Sequence, residues 1–202
     1  MYFGLSEDQI FFQDNVKKFL EDQLTLDTVK KITEGEDDLA KEELHKGLIN
    51  LGINNILIPE EYGGLGLDLL FATAVSQSLG EGVATLPFLG PYIVAPTAIK
   101  YGASDNQKEK LFAGMCQNLI NFGIGFSEYF GSRDSSGLNI SDNKVTGKTL
   151  FVLDTDFASH VMIADNKGQI GIVSLDSNGI ETIDLTTVDK TRTYKEMHFS
   201  DT

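Results

Sequence analysis

Cysteine is nearly missing from this chain. Cys116 stands alone among 202 residues, so no internal disulfide can form, and a single thiol fits a reducing compartment and a place in the core better than a nucleophile. The three histidines, His45, His160 and His198, are scattered, and no Cys/His cluster has zinc spacing. Basic residues are scarce: 16 Lys and Arg face 30 Asp and Glu, for a net charge of -14. Such a surface repels phosphate backbones and anionic lipid, which argues against nucleic acid or a membrane as partner. No apolar run approaches the roughly 20 residues of a membrane span. The start, MYFGLSEDQ, lacks the basic stretch and apolar core of a secretory signal. The expectation is a cytoplasmic protein without a metal site. Tryptophan is absent, and all four prolines, Pro59, Pro87, Pro91 and Pro96, lie in the first half.

That uneven proline distribution accompanies a change of pattern. Ser6 with Gln9 forms a capping box ahead of Phe12, Val16, Phe19, Leu20 and Leu24, which recur at helical spacing and predict a helix over 7–24. Residues 28–38 are polar and acidic and read as a solvated loop. A second helix follows over 39–51, with Leu44, Leu48 and Leu51 on one face and Gly52 as a C-terminal cap. A turn-rich stretch with Pro59, Gly63, Gly64 and Gly66 leads to a helix over 68–80. The next segment is broken by prolines, leaving a short helix over 95–101. A second capping box, Ser104 with Gln107, opens a helix ending near Gly114.

From residue 119 the pattern shifts to period two. Candidate strands cover 120–127, 136–141, 144–152, 160–164, 169–174, 182–185 and 192–199, separated by turn sequences such as Asp165-Asn166-Lys167-Gly168. Seven short strands at regular spacing predict a barrel or sandwich. The fold class expected is α+β: an all-helical domain over 1–118, then an antiparallel β-barrel domain over 119–202.

Five segments carry a resemblance. LGINNILIPEEYGGLGLD at 51–68 contains a Pro-Glu-x-Tyr-Gly-Gly-x-Gly pattern. AVSQSLG follows at 74–80, IKYGASDNQKEKLFAGM at 99–115, IGFSEYFGSRD at 124–134 and VTGKTLFVLDTDFASHVMIA at 145–164. Each is weak alone. As an ordered series across the chain, they resemble the acyl-CoA dehydrogenase family.

The resemblance implies a helical N-terminal domain, a β-barrel middle domain and a helical C-terminal domain, with FAD between the last two. It implies α,β-desaturation of an acyl-CoA thioester, in which a glutamate takes the α proton and the flavin takes the β hydride. An electron-transfer acceptor protein would reoxidise the flavin, and oligomers would form largely through the C-terminal domain. The family pattern in this chain ends with the middle domain, so no catalytic glutamate is nominated here. Carried over by position, Ile124, Phe126, Ser127 and Arg133 would follow the cofactor, with Phe151, Val152 and Leu153 beside its ring. Arg133 could also pair with a phosphate of FAD or of the CoA substrate.

The departures are specific. Phe151 replaces the ring-side tryptophan, Leu153 replaces a threonine that bonds the flavin, and Tyr129 replaces a proline. Two other readings stay open: a non-catalytic partner subunit of a heteromeric dehydrogenase, and a barrel interaction module without flavin. Gly147-Lys148-Thr149 matches the end of a P-loop, but Asp142 stands where a glycine is needed and no helix follows, which excludes it.

Overall fold

The computed structural model describes residues 4–131 and 136–202. Both capping boxes form: Gln9 N–H donates to Ser6 Oγ at 3.2 Å while Ser6 N–H donates to Gln9 Oε1 at 2.9 Å, opening α1 (Glu7–Gln23). The helical half continues with α2 (Leu26–Thr33), α3 (Asp38–Asn50), α4 (Leu69–Glu81), α5 (Ala95–Gly102) and α6 (Asp105–Cys116). Gly52, at φ 83, follows the end of α3 as expected.

Two helical features depart from the sequence reading. The stretch read as a loop over 28–38 contains most of α2, because Leu26, Val29 and Ile32 share one face and Thr25 caps its first turn through Thr28 N–H at 3.1 Å. The proline-rich segment is not broken either. A π-helical stretch, Gly90–Val94, accepts Pro91 in its first turn, where a missing N–H costs nothing, and runs straight into α5.

Between α3 and α4 the chain turns back on itself. Leu65, Gly66 and Leu67 donate their N–H groups to the carbonyls of Asn55, Ile58 and Ile56. A Cβ at Gly64 would sit 2.1 Å from the Ile58 carbonyl oxygen, so glycine is required there by contact with the backbone. This turn is structural, tying Ile58 into the core.

Three cores form. Val16, Leu20, Leu44, Leu48, Ile53 and Val75 fill the helical half. Leu138, Val145, Val152, Val161, Ile163 and Met197 fill the sheet. The third is shared: Ile58, Ile99, Phe112 and Met115 from the helical half pack with Phe122, Ile124 and Met162 from the strands. A fully buried Phe or Ile side chain contributes about 2 kcal/mol, so this shared core fixes the two halves against each other.

The strands are β1 (Phe122–Gly125), β2 (Gly137–Ser141), β3 (Lys144–Leu153), β4 (His160–Ala164), β5 (Ile170–Ser174), β6 (Ile180–Leu185) and β7 (Tyr194–Phe199). All seven expected strands form. The expected antiparallel barrel is corrected in two respects. The order is β5-β4-β1-β3-β7-β6, with β2 also paired to β3, and the β1–β4 pair is parallel. The cause is the connection after β3, which carries the chain past β1. β4 therefore opposes β3 and runs with β1, which is itself antiparallel to β3. Closure would need the two edge strands, β5 and β6, to meet, and among the described residues they do not pair. The sheet is mixed and open. Among the described residues no helix is long and apolar enough to cross a membrane.

Candidate functional site

The expected site residues converge on the end of β1, the short helix α7 (Ser127–Phe130) and the second half of β3. The register of β3 against β7 shifts there. Thr149 pairs with Met197 and Val152 with Lys195, so Leu150 and Phe151 together lie opposite Glu196 alone. This is a β-bulge, the device that bends a strand and re-aims a side chain. Phe151 takes φ 55, the left-handed region that a bulky L-residue enters at a cost of about 1–2 kcal/mol. Its ring is 41% exposed.

The bulge is held from the neighbouring segment. Leu150 N–H donates to Glu128 Oε1 at 3.2 Å. The Ser127 hydroxyl donates to the Leu150 carbonyl, and lies 3.3 Å from Glu128 Oε1 and 3.4 Å from Thr149 Oγ1. Ser136 Oγ donates to Glu128 Oε2 at 2.7 Å. Glu128 is 1% exposed. α7 thus turns the chain inward and buries the carboxylate among donors.

The far end of the segment is held by a second buried carboxylate. Asp154, at φ 58, accepts from Gly90 N–H at 2.7 Å and from Arg192 Nη1 at 3.4 Å. A Cβ at Gly90 would press on Ile124 at 2.8 Å and on Asp154 Cβ at 3.1 Å, so this approach needs glycine. Burial pushes the Asp154 carboxyl above its ordinary range, against the pull of Gly90 N–H and Arg192. Two residues on, Asp156 binds Lys41 Nζ at 3.0 Å and Thr193 Oγ1 at 2.9 Å. Phe157 stacks on His45, with centroids 4.1 Å apart and planes 3° apart, and His45 Nε2 lies 3.0 Å from the Tyr92 hydroxyl. Burial pushes the His45 imidazole down and the Tyr92 phenol up. The loop after β3 is thereby tied to α3, to the π-helical stretch and to the approach to β7.

The expected residues differ in what they present. Phe151 presents its ring outward. Ile124 and Val152 are buried in the cores, so only their backbone can meet a ligand; Phe126 and Leu153 are partly buried and pack against the shared core. The Ser127 hydroxyl is turned onto β3 rather than toward solvent. Arg133 lies outside the described residues. Sequence reading takes Ser127 rather than Glu128 as the site residue and does not single out Asp154, which directly follows the Phe151–Leu153 triplet. Beside the site, Tyr129 and Phe130 on α7 are exposed and meet edge to face at 5.4 Å. Cys116 is not an activated thiol: burial raises its pKa.

A helical half packs against an open mixed sheet through a shared core, and an exposed aromatic stands on a pinned bulge in an interior strand of that sheet. Comparison gives the family. Residues 6–118 match the family model "Acyl-CoA dehydrogenase, N-terminal domain", more than half of the chain, and the chain belongs to the acyl-CoA dehydrogenase family. Acyl-CoA dehydrogenase FadE26 of Mycobacterium tuberculosis is 29% identical over 112 residues, covering 52% of this chain and 28% of that protein. A crystal structure of acyl-CoA dehydrogenase from Geobacillus kaustophilus aligns over 100% of this chain and 57% of its own, at TM-score 0.78 and 20% identity. An acyl-CoA dehydrogenase from Bacillus anthracis, complexed with FAD, aligns over 98% of this chain and 37% of its own, at TM-score 0.75 and 17% identity. The chain thus spans only part of the relatives it matches.

Proposed function

We propose that this chain supplies the helical and middle portions of an FAD-dependent acyl-CoA dehydrogenase, acting on an acyl-CoA thioester at its α,β bond in the cytoplasm. The observation that carries this reading is Phe151. By the resemblance it takes the place of the family's ring-side tryptophan, and it stands half-exposed on a bulge whose backbone is already bonded from the interior. A flat heterocycle needs an aromatic surface and backbone polar groups, and the bulge with the adjoining strand ends offers both. FAD, when bound, supplies the hydride acceptor.

The chain's own residues do the rest of the work assigned here. Phe151 offers a stacking face. By the resemblance, the backbone of Phe126–Ser127 and of Val152–Leu153 would hold the cofactor's polar groups, and Arg133 would pair with a phosphate of FAD or CoA. Leu153 packs its side chain on the shared core and donates nothing, so hydrogen bonding near the ring falls to main-chain groups. No glutamate in this chain is assigned the α-proton transfer. Glu128 has both oxygens engaged by Leu150, Ser127 and Ser136 in the interior. That base, the electron-transfer acceptor protein and the contacts of an oligomer belong to other parts of the assembly.

Leu153 also favours a second reading, a partner subunit that binds flavin or acyl-CoA without turning it over. Titration of FAD into the chain tests the common element. Saturable binding with a changed flavin fluorescence is expected; free-flavin fluorescence throughout the titration would overturn flavin binding in both readings.

A further inference from the structure

We infer that Glu128, together with Ser127, is a positioning residue for the cofactor: it presets the left-handed bulge that carries Phe151 without touching the ligand itself. The inference rests on the flavin reading above.

Three observations converge. First, the bulge strands Leu150. The register shift between Thr149 and Val152 takes this residue out of the β3–β7 ladder, and both its backbone groups still need partners. Second, two adjacent side chains provide them. Glu128 takes the Leu150 N–H and Ser127 gives its hydroxyl to the Leu150 carbonyl, across 22 and 23 residues of sequence. A dipeptide on α7 thus stands in for a strand. Third, the geometry held is an unfavourable one. Phe151 at φ 55 persists only if its surroundings over-determine it. Without these bonds, β3 can relax to an unbulged pairing, and in a pleated strand one residue of slip sends a side chain to the opposite face. Phe151 would then leave the site.

The acid does more than either hydroxyl could. Its second oxygen accepts from Ser136 at 2.7 Å, so the same carboxylate ties the segment entering β2 to the bulge. Ser136 and the bulge are thereby referred to one buried group.

The test compares the native chain with Glu128→Gln, Glu128→Ala, Ser127→Ala and a control, Val16→Ala, in the distant helical core. Two readouts are taken at a temperature where every variant is folded: exchange of the Leu150 amide proton, and FAD affinity by flavin fluorescence. Glutamine keeps an acceptor for Leu150, and its amide can donate to the Ser136 hydroxyl. It is expected to hold both values near native. Alanine at 128 is expected to speed Leu150 exchange and to weaken FAD binding by about tenfold or more, the scale set by losing one well-made hydrogen bond. Ser127→Ala is expected to move both in the same direction by less, and remains informative if Glu128→Ala does not fold. Val16→Ala is expected to lower the melting temperature and leave FAD affinity unchanged. Native FAD affinity in folded Glu128→Ala or, failing that, in Ser127→Ala would overturn the inference. So would equal loss in Val16→Ala, which would make the effect one of global stability. A native chain that ignores FAD would instead defeat the flavin reading, while the exchange readout would still decide whether Glu128 holds the bulge.

Discussion

Glu128, on α7, and Asp154, directly after β3, are both buried carboxylates that accept a backbone N–H, Glu128 from Leu150 within β3 and Asp154 from Gly90. Their other partners differ. Glu128 is met by the hydroxyls of Ser127 and Ser136 within the sheet half. Asp154 is met by the π-helical stretch through Gly90 and by the guanidinium of Arg192 on the approach to β7. One acid shapes the strand locally; the other ties that strand to the rest of the molecule. The contrast shows how an exposed aromatic can be aimed from both sides by groups that never face the ligand.

The largest expected effect follows from the number of bonds each acid makes. Glu128→Ala orphans a buried N–H and frees the Ser136 hydroxyl, and is expected to cost about 3 kcal/mol of stability in urea unfolding at neutral pH. Asp154→Ala is expected to cost about 2 kcal/mol, because ionised Asp154 already carries a desolvation penalty. A reversed order would break the comparison.

The next effect is a pH dependence. The Asp154 carboxyl is raised in the folded state, so its contribution is fully present below the unfolded value of about 3.9 and is lost as pH rises through the folded value. Asp154→Asn keeps an acceptor for Gly90 N–H and removes this loss. The variant is expected to gain stability relative to the native chain as pH increases from acid to neutral, as read by urea midpoints across that range. His45 acts in the opposite sense. Its folded value is depressed, so its contribution is present above the unfolded value of about 6.5 and falls as pH drops through the folded one. Replacing His45 with Phe should flatten that part of the profile.

Smaller effects sharpen the picture. Ser127→Ala removes one buried hydroxyl bond to the bulge and is expected to cost about 1 kcal/mol. Arg192→Gln is expected to cost well under about 1 kcal/mol, since its side chain is 38% exposed and its bond to Asp154 is long. A large loss there would mean that the clamp, rather than the bulge, dominates.

Much of the scaffold could be read from the residues. Both capping boxes, the turn glycines and all seven strands follow from local chemistry, which acts over a few positions. α2 was hidden because its three apolar residues lie among charges in only eight positions. The order of strands was not legible: the parallel β1–β4 pair depends on where the chain lands after crossing β1. Nor was the bulge, since Leu150 receives its partners from Ser127 and Glu128 far away in sequence. For the same reason, the inward turn of the Ser127 and Val152 side chains was not legible.

Hydrogen exchange of the chain with and without FAD tests the central claim most directly. The account predicts new protection confined to the amides of 124–131 and 150–155. Binding that protects other surfaces while leaving the β3 bulge unchanged would contradict it.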